Sequence, residues 1–188
     1  RPTPHLLTLD SDTVLPPGAL RDLMGVAVHP LNRPRVDTAR GRVASGHAVL
    51  QPRIDMAWPG IGQATLFHRL FAGEPGQDPY NGPSSEVFSD LFDEATFCGK
   101  GLLHVATMQA LLAGRLPEDQ VLSHDLVEGV IARCGGVTDV HLLEPAATHP
   151  HMAALRQHRW IILETQLLSG PHAKSPSPRS CAFAHADG

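Results

Sequence analysis

Little in this sequence argues for covalent stapling, membrane insertion or nucleic-acid binding. Its three cysteines, Cys98, Cys134 and Cys181, are an odd number without CxxC spacing. Neither a disulfide framework nor a zinc site is suggested, and a reducing compartment fits best. No apolar run approaches the roughly 18 residues that a membrane span needs, and no signal peptide is visible. A formal net charge of -4 removes any general electrostatic case for nucleic acid as a partner. The twelve histidines are scattered and read better as surface or satisfied core residues than as the ligands of a metallohydrolase. There are no internal repeats. What is there is 188 residues, 42% of them hydrophobic, enough for one domain with a real core. The chain opens on Arg1 and its first strand follows almost at once, so it reads as a piece of something longer.

Strand and helix signals alternate, which makes the fold α/β. A short apolar run, Leu6 to Leu9, reads as a buried strand that ends on Asp10 and Asp12 before Pro16-Pro17. Leu20, Leu23, Met24 and Ala27 recur at helical spacing and predict an amphipathic helix over 19–28. A basic, turn-rich stretch from Asn32 to Arg42 is expected to be a loop, and Ala48 to Gln51 a strand ended by Pro52. Gln63 to Phe71 reads helical. Gly73 to Ser85, with the single tyrosine Tyr80, reads as a long loop of the kind that is functional or disordered. Thr96-Phe97-Cys98 is a short strand candidate closing on Gly99-Lys100-Gly101, followed by a helix from Val105 to Leu112. Pro117 to Gln120 reads as a turn, and a helix then starts around Leu122 to Asp125 and stops at Cys134-Gly135-Gly136. Val140 to Leu143 is a strand and Met152 to about Leu168 a helix. Beyond it, residues 169–188 lose all periodicity and are expected to be a disordered tail, leaving 1–168 as the folded unit.

Three places carry residues suited to chemistry. Asp10 and Asp12, at the end of a buried strand, sit where open α/β sheets bind ligands, and two carboxylates there can hold a hard divalent cation that takes phosphate oxygens. An Asp-x-Asp also opens ordinary turns. Asp125 falls at the start of a helix, where it serves either as an N-cap or as a general base; His124 and Glu128, four apart on that helix, also permit a metal pair. Arg156 to Trp160 places two arginines and an aromatic on one helix, which suits a phosphate leaving group and a sugar face, or equally a basic amphipathic turn with Trp160 in a core.

Taken together and in order, these landmarks resemble a processive family-2-type glycosyltransferase. The runs HPLNRPR (His29–Arg35), LQPRID (Leu50–Asp55), DPYNGPSSEVFSDLF (Asp78–Phe92), GKG (Gly99–Gly101), LSHDLVEG (Leu122–Gly129) and RQHRW (Arg156–Trp160) look like the transferase domain of cyclic β-1,2-glucan synthases. The resemblance runs from about Leu7 to Trp160. It implies a GT-A-like, Rossmann-like mixed sheet flanked by helices, and transfer of glucose from UDP-glucose to a growing β-1,2-glucan acceptor with inversion. It implies that Asp10 and Asp12 bind Mg²⁺ or Mn²⁺ and that Asp125 is the base for the incoming hydroxyl. Gly99, Lys100, Arg156, His158, Arg159 and Trp160 would bind substrate, Arg156 standing where the wider family has glutamine.

The sequence departs from that pattern at both ends. The nucleoside-binding half that the family carries ahead of Asp-x-Asp is missing, so the sheet is expected to be incomplete. After Trp160 the family's Arg-Gly-Asp-Trp-Gln-like run and membrane helices give way to Ile161-Ile162-Leu163-Glu164-Thr165-Gln166 and a polar tail. The resemblance therefore places the parent protein at the cytoplasmic face of a bacterial inner membrane, with membrane contact only through segments this chain lacks. A catalytically inactive fragment, retaining at most partial sugar-nucleotide or glucan binding, is the alternative to an active transferase domain.

Overall fold

Strand β4 (Val49–Ala57) is the spine of the molecule, because both of its neighbours are long-range partners. On one side it pairs antiparallel with β5 (Gly101–His104), on the other parallel with β6 (Cys134–Pro145). Strand β1 (His5–Thr8) closes the far edge against β5, giving a four-stranded mixed sheet in the order β1-β5-β4-β6. The structure is a computed structural model that describes residues 3–60, 62–71, 87–115 and 124–169; the side chains of 71, 87, 88, 160 and 163–169 fall outside that description.

Adjacent residues on a strand face opposite sides of a sheet, and this sheet uses both sides. Leu50, Leu102, Val137 and Val140 pack against Ala19, Leu23 and Ala27 of helix α1 (Ala19–Val28). Val49, Leu103, Phe97 and Cys134 pack against Met108 and Leu111 of α4 (Val105–Leu112) and Ala132 of α5 (Asp125–Ala132). Each large side chain so buried contributes roughly 1.5–3 kcal/mol, so the sheet is held as the middle layer of three. This is the expected helix-flanked mixed sheet, with the layout of a partial Rossmann-like fold. The remaining helices among the described residues are α2 (Leu66–Phe71), α3 (Val87–Phe92) and α6 (Pro150–Ser169). No helix among the described residues is long and apolar enough to cross a membrane.

Several boundaries differ from the sequence reading, each for a local reason. The expected loop after Asn32 contains a hairpin, β2 (Arg35–Asp37) with β3 (Arg42–Ser45), turned where Asp37 Oδ1 accepts the Ala39 and Arg40 amides. Pro52 does not end its strand. The β4–β6 register slips between Pro52 and Arg53, whose partners are Val137 and His141, and a proline without an N–H is tolerated at such a bulge. Thr96 to Cys98 is not a strand: the Cys98 amide donates to the Gln51 side chain rather than to a neighbouring backbone, and the strand begins at Gly101. Helix α5 stops on Arg133, in the left-handed region at φ 55°, and not on glycine. Cys134-Gly135-Gly136 instead opens β6, where a Cβ on Gly135 would lie 2.7 Å from the His47 ring. Leu20 is exposed rather than part of the buried stripe of α1. The stretches 73–85 and 117–120 and the tail beyond 169 lie outside the described residues.

Candidate active site

The strand directions bring three chain ends to one edge of the sheet. Thr8, the last residue of β1, lies opposite Gly101, the first of β5. Strand β6 runs parallel to β4 and antiparallel in sense to β5, so its C-terminal end arrives at the same edge. Asp10 and Asp12 follow β1, Lys100 precedes β5 and Glu144 is next to last in β6. A backbone bridge from Val14 to Leu143 (2.8 and 3.0 Å) ties the segment after β1 to the end of β6.

Asp10, Asp12 and Glu144 each present a carboxylate oxygen within 4.8 Å of the others, the one group of three or more such ligands among the described residues. Between two of them sits the Lys100 ammonium, 3.1 Å from Asp10 Oδ2 and 3.2 Å from Glu144 Oε1. Lys100 and Glu144 are 6% and 5% exposed, so their charges interact through protein rather than bulk water. Burial alone would lower the Lys100 pKa, but Cys98, Glu144 and Asp10 outweigh it and hold the ammonium above its ordinary range. Thr13 Oγ1 donates to the same Glu144 oxygen at 3.0 Å, which keeps that carboxylate aimed into the cluster.

The turn that carries Lys100 is clamped on every side. Gln51, fully buried, accepts from the Cys98 amide (3.1 Å) and thiol (3.2 Å). Thr8 Oγ1 meets both the N–H and the C=O of Gly101 at 3.2 Å. Gly99 takes φ +86°, and a Cβ built on it would fall 2.8 Å from Asp125 Oδ2. The two residues that sequence analysis assigned separately, Gly99 and Asp125, are thus in contact, and Lys100 links them to the acidic cluster one residue on. Asp125 is the first residue of α5, and the N-cap position belongs to His124. Its neighbour Glu128, in the same first turn, is pushed above the usual carboxylate range by burial and by the Asp125 charge, with His124 acting the other way.

Beside the cluster opens a cleft of ≈ 730 Å³, lined by Asp10, Ser11 and Asp12, by Ala146 to Thr148, and by Met152, Leu155, Arg156 and Arg159 of α6. Arg156 Nη2 stands 3.9 Å from Asp12 Oδ2. The cleft therefore has carboxylates on one wall and guanidinium groups on the other, one turn apart on their helix. His158 is exposed on α6 and does not line it; the side chain of Trp160 lies outside the described residues. Glu144 and Gln51 were not singled out from sequence. An acidic residue closing the apolar run Val140 to Leu143 repeats the strand-then-acid pattern of Asp10 and could have signalled Glu144. Gln51 has only its polarity inside an apolar strand to mark it.

Over 164 residues, 87% of this chain, the sequence is 42% identical to the cyclic beta-(1,2)-glucan synthase NdvB of Rhizobium meliloti (strain 1021). This chain is related to a segment of a cyclic β-(1,2)-glucan synthase. The matched region is 6% of that protein's length, so the chain spans a small part of its relative. No protein-family model matches it. The family resemblance carried by the runs from HPLNRPR to RQHRW is borne out by this glucan synthase.

Proposed function

We propose that this chain is part of a glycosyl-transfer domain in β-glucan synthesis, moving glucose from UDP-glucose to the end of a β-1,2-glucan with inversion. The observation that carries the reading is the joining of the acidic cluster at the sheet edge to a cleft walled by Arg156 and Arg159. The relationship to a glucan synthase supports glycosyl transfer as the reaction class and glucose as the sugar.

A cluster of three carboxylates with all its donor atoms oxygen fits a hard divalent ion such as Mg²⁺ or Mn²⁺. Asp10, Asp12 and Glu144 would hold it, and when bound the ion supplies positive charge for the donor's diphosphate. Arg156 and Arg159 bind the same diphosphate from the helix side, where forked guanidinium donors match phosphate oxygens. Negative charge grows on the leaving diphosphate as the anomeric C–O bond breaks, so fixed cations there favour the transition state over the ground state. An acceptor hydroxyl forms the new C–O bond from the opposite face, and Asp125 takes its proton. One displacement on an α-linked donor leaves a β-linkage. Lys100 and Gly99 position the turn between metal and base, and Trp160 is assigned to the sugar side through the family motif.

Calorimetric titration of UDP, with and without Mn²⁺, tests this reading. We expect Mn²⁺-dependent binding that is lost in Asp10→Asn/Asp12→Asn and kept in Asp125→Asn, because the base serves the acceptor rather than the donor. Equal binding in wild type and the double variant would overturn the metal and diphosphate assignment. An absence of UDP binding in every form would favour the inactive-fragment alternative.

A further inference from the structure

The buried ammonium of Lys100 already engages two of the three carboxylates of the acidic cluster. Its Nζ is within 3.1–3.2 Å of oxygens on Asp10 and Glu144, two of the three carboxylates whose ligand atoms lie within 4.8 Å of one another. Divalent ions sit about 2.0–2.6 Å from carboxylate oxygens. An ion sharing those oxygens would stand close enough to Nζ to repel it, and the repulsion is least screened on the buried Glu144 side of the cluster. The main chain there is closely packed: a Cβ on Gly99 would meet Asp125, and Gly101 is paired with Thr8 and so near the Leu50 carbonyl that a Cβ would come to 2.5 Å of it. The freedom lies in the four-carbon side chain.

We propose that Lys100 is an internal counter-cation that holds Asp10 and Glu144 together in the metal-free protein, competes with the divalent ion for them, and swings out of the cluster when the ion binds. This rests on the metal assignment made above. It makes Lys100 a positioning residue: it keeps three carboxylates from repelling one another before metal arrives, and it weakens metal binding by the same contacts. The freed ammonium adds a cation beside the cleft at the moment the centre becomes competent to take a diphosphate.

The chain has two lysines, Lys100 and Lys174, so lysine acetylation read by peptide mass spectrometry reports Lys100 against an internal reference. In the wild-type protein, saturating Mn²⁺ should raise Lys100 acetylation relative to Lys174 by at least about fivefold, as a buried, paired amine becomes accessible. In Lys100→Met, Mn²⁺ alone, followed by electron paramagnetic resonance, should bind at least about tenfold tighter than in wild type, through loss of a repelling charge. Unchanged Lys100 labelling in the wild type at saturating Mn²⁺ overturns the proposal without any variant. So does equal or weaker Mn²⁺ binding by a folded Lys100→Met. If in either case wild-type Mn²⁺ binding is still abolished by Asp10→Asn/Asp12→Asn, the metal assignment stands and only the competition fails. If wild type binds no Mn²⁺, or the double variant binds it equally, both fail.

Discussion

Replacing Gly99 by alanine imposes two separable penalties, and the structure supplies a control for each. The first is backbone strain. Gly99 has φ +86°, and a side chain in the left-handed region costs roughly 1–2 kcal/mol, offset by about 0.4–1 kcal/mol from stiffening the unfolded chain. Gly114, at φ +71° with nothing within 4 Å of its would-be Cβ, isolates this term; Gly114→Ala should cost about 1 kcal/mol. The second penalty is steric. The new methyl at Gly99 would lie 2.8 Å from Asp125 Oδ2 and 3.2 Å from its Cγ, an overpacked contact worth about 1–3 kcal/mol. Gly99→Ala should therefore cost about 2–4 kcal/mol in all, and most of the excess over Gly114→Ala should vanish when Asp125 is already alanine. Urea unfolding of wild type, both single variants and the double variant, followed by far-UV circular dichroism, measures that coupling directly. Other losses on removing Asp125 cancel in the cycle. A coupling below about 0.5 kcal/mol, the scatter of independent sites, would refute the claim that Gly99 is glycine to make room for this carboxylate.

Two further outcomes follow from the same neighbourhood. Glu128 is held above the carboxylate range by burial and Asp125; an acid whose folded pKa exceeds its unfolded one costs stability once ionised, so stability falls as pH rises from 4.5 through the raised value. Glu128→Gln should thus melt higher than wild type at pH 7, with the gap closing as pH falls toward 4.5, and a lower melting temperature at pH 7 would contradict the assignment. Gln51→Leu removes the acceptor for the Cys98 amide and thiol and should lose about 1–3 kcal/mol in the urea assay, the usual result of stranding a buried donor; unchanged stability would mean that the Cys98 turn is held by other contacts.

Local signals were legible wherever short-range chemistry decides the outcome. Helices α1 and α4 lie on the expected residues because apolar spacing at 3–4 residues suffices to define a face. The strand before Asp10 was legible as a short apolar run, but it is an edge strand with Leu6 and Leu9 exposed rather than a buried one. The helix carrying Arg156 lies where it was expected, and the order of motifs was enough to indicate the glucan synthase family. Strand ends were not, because they depend on partners far along the chain. Pro52 looks like a stop until the slip to His141 provides a bulge for it. Thr96 to Cys98 looks like a strand until Gln51 takes its amide.

The sequence by itself determined the residue types, carboxylates, arginines and a lysine, and their order along the chain. Which of them meet was decided only by the tertiary structure. Glu144 joins Asp10 and Asp12 because β6 runs parallel to β4 and finishes at the edge where β1 also ends. Lys100 enters that cluster, and Gly99 touches Asp125, because antiparallel pairing of β5 with both β1 and β4 turns one short loop between them. Contacts such as Lys100 with Glu144, or Thr13 with Glu144 across 131 residues, have no local signature, since strand pairing rather than spacing sets them.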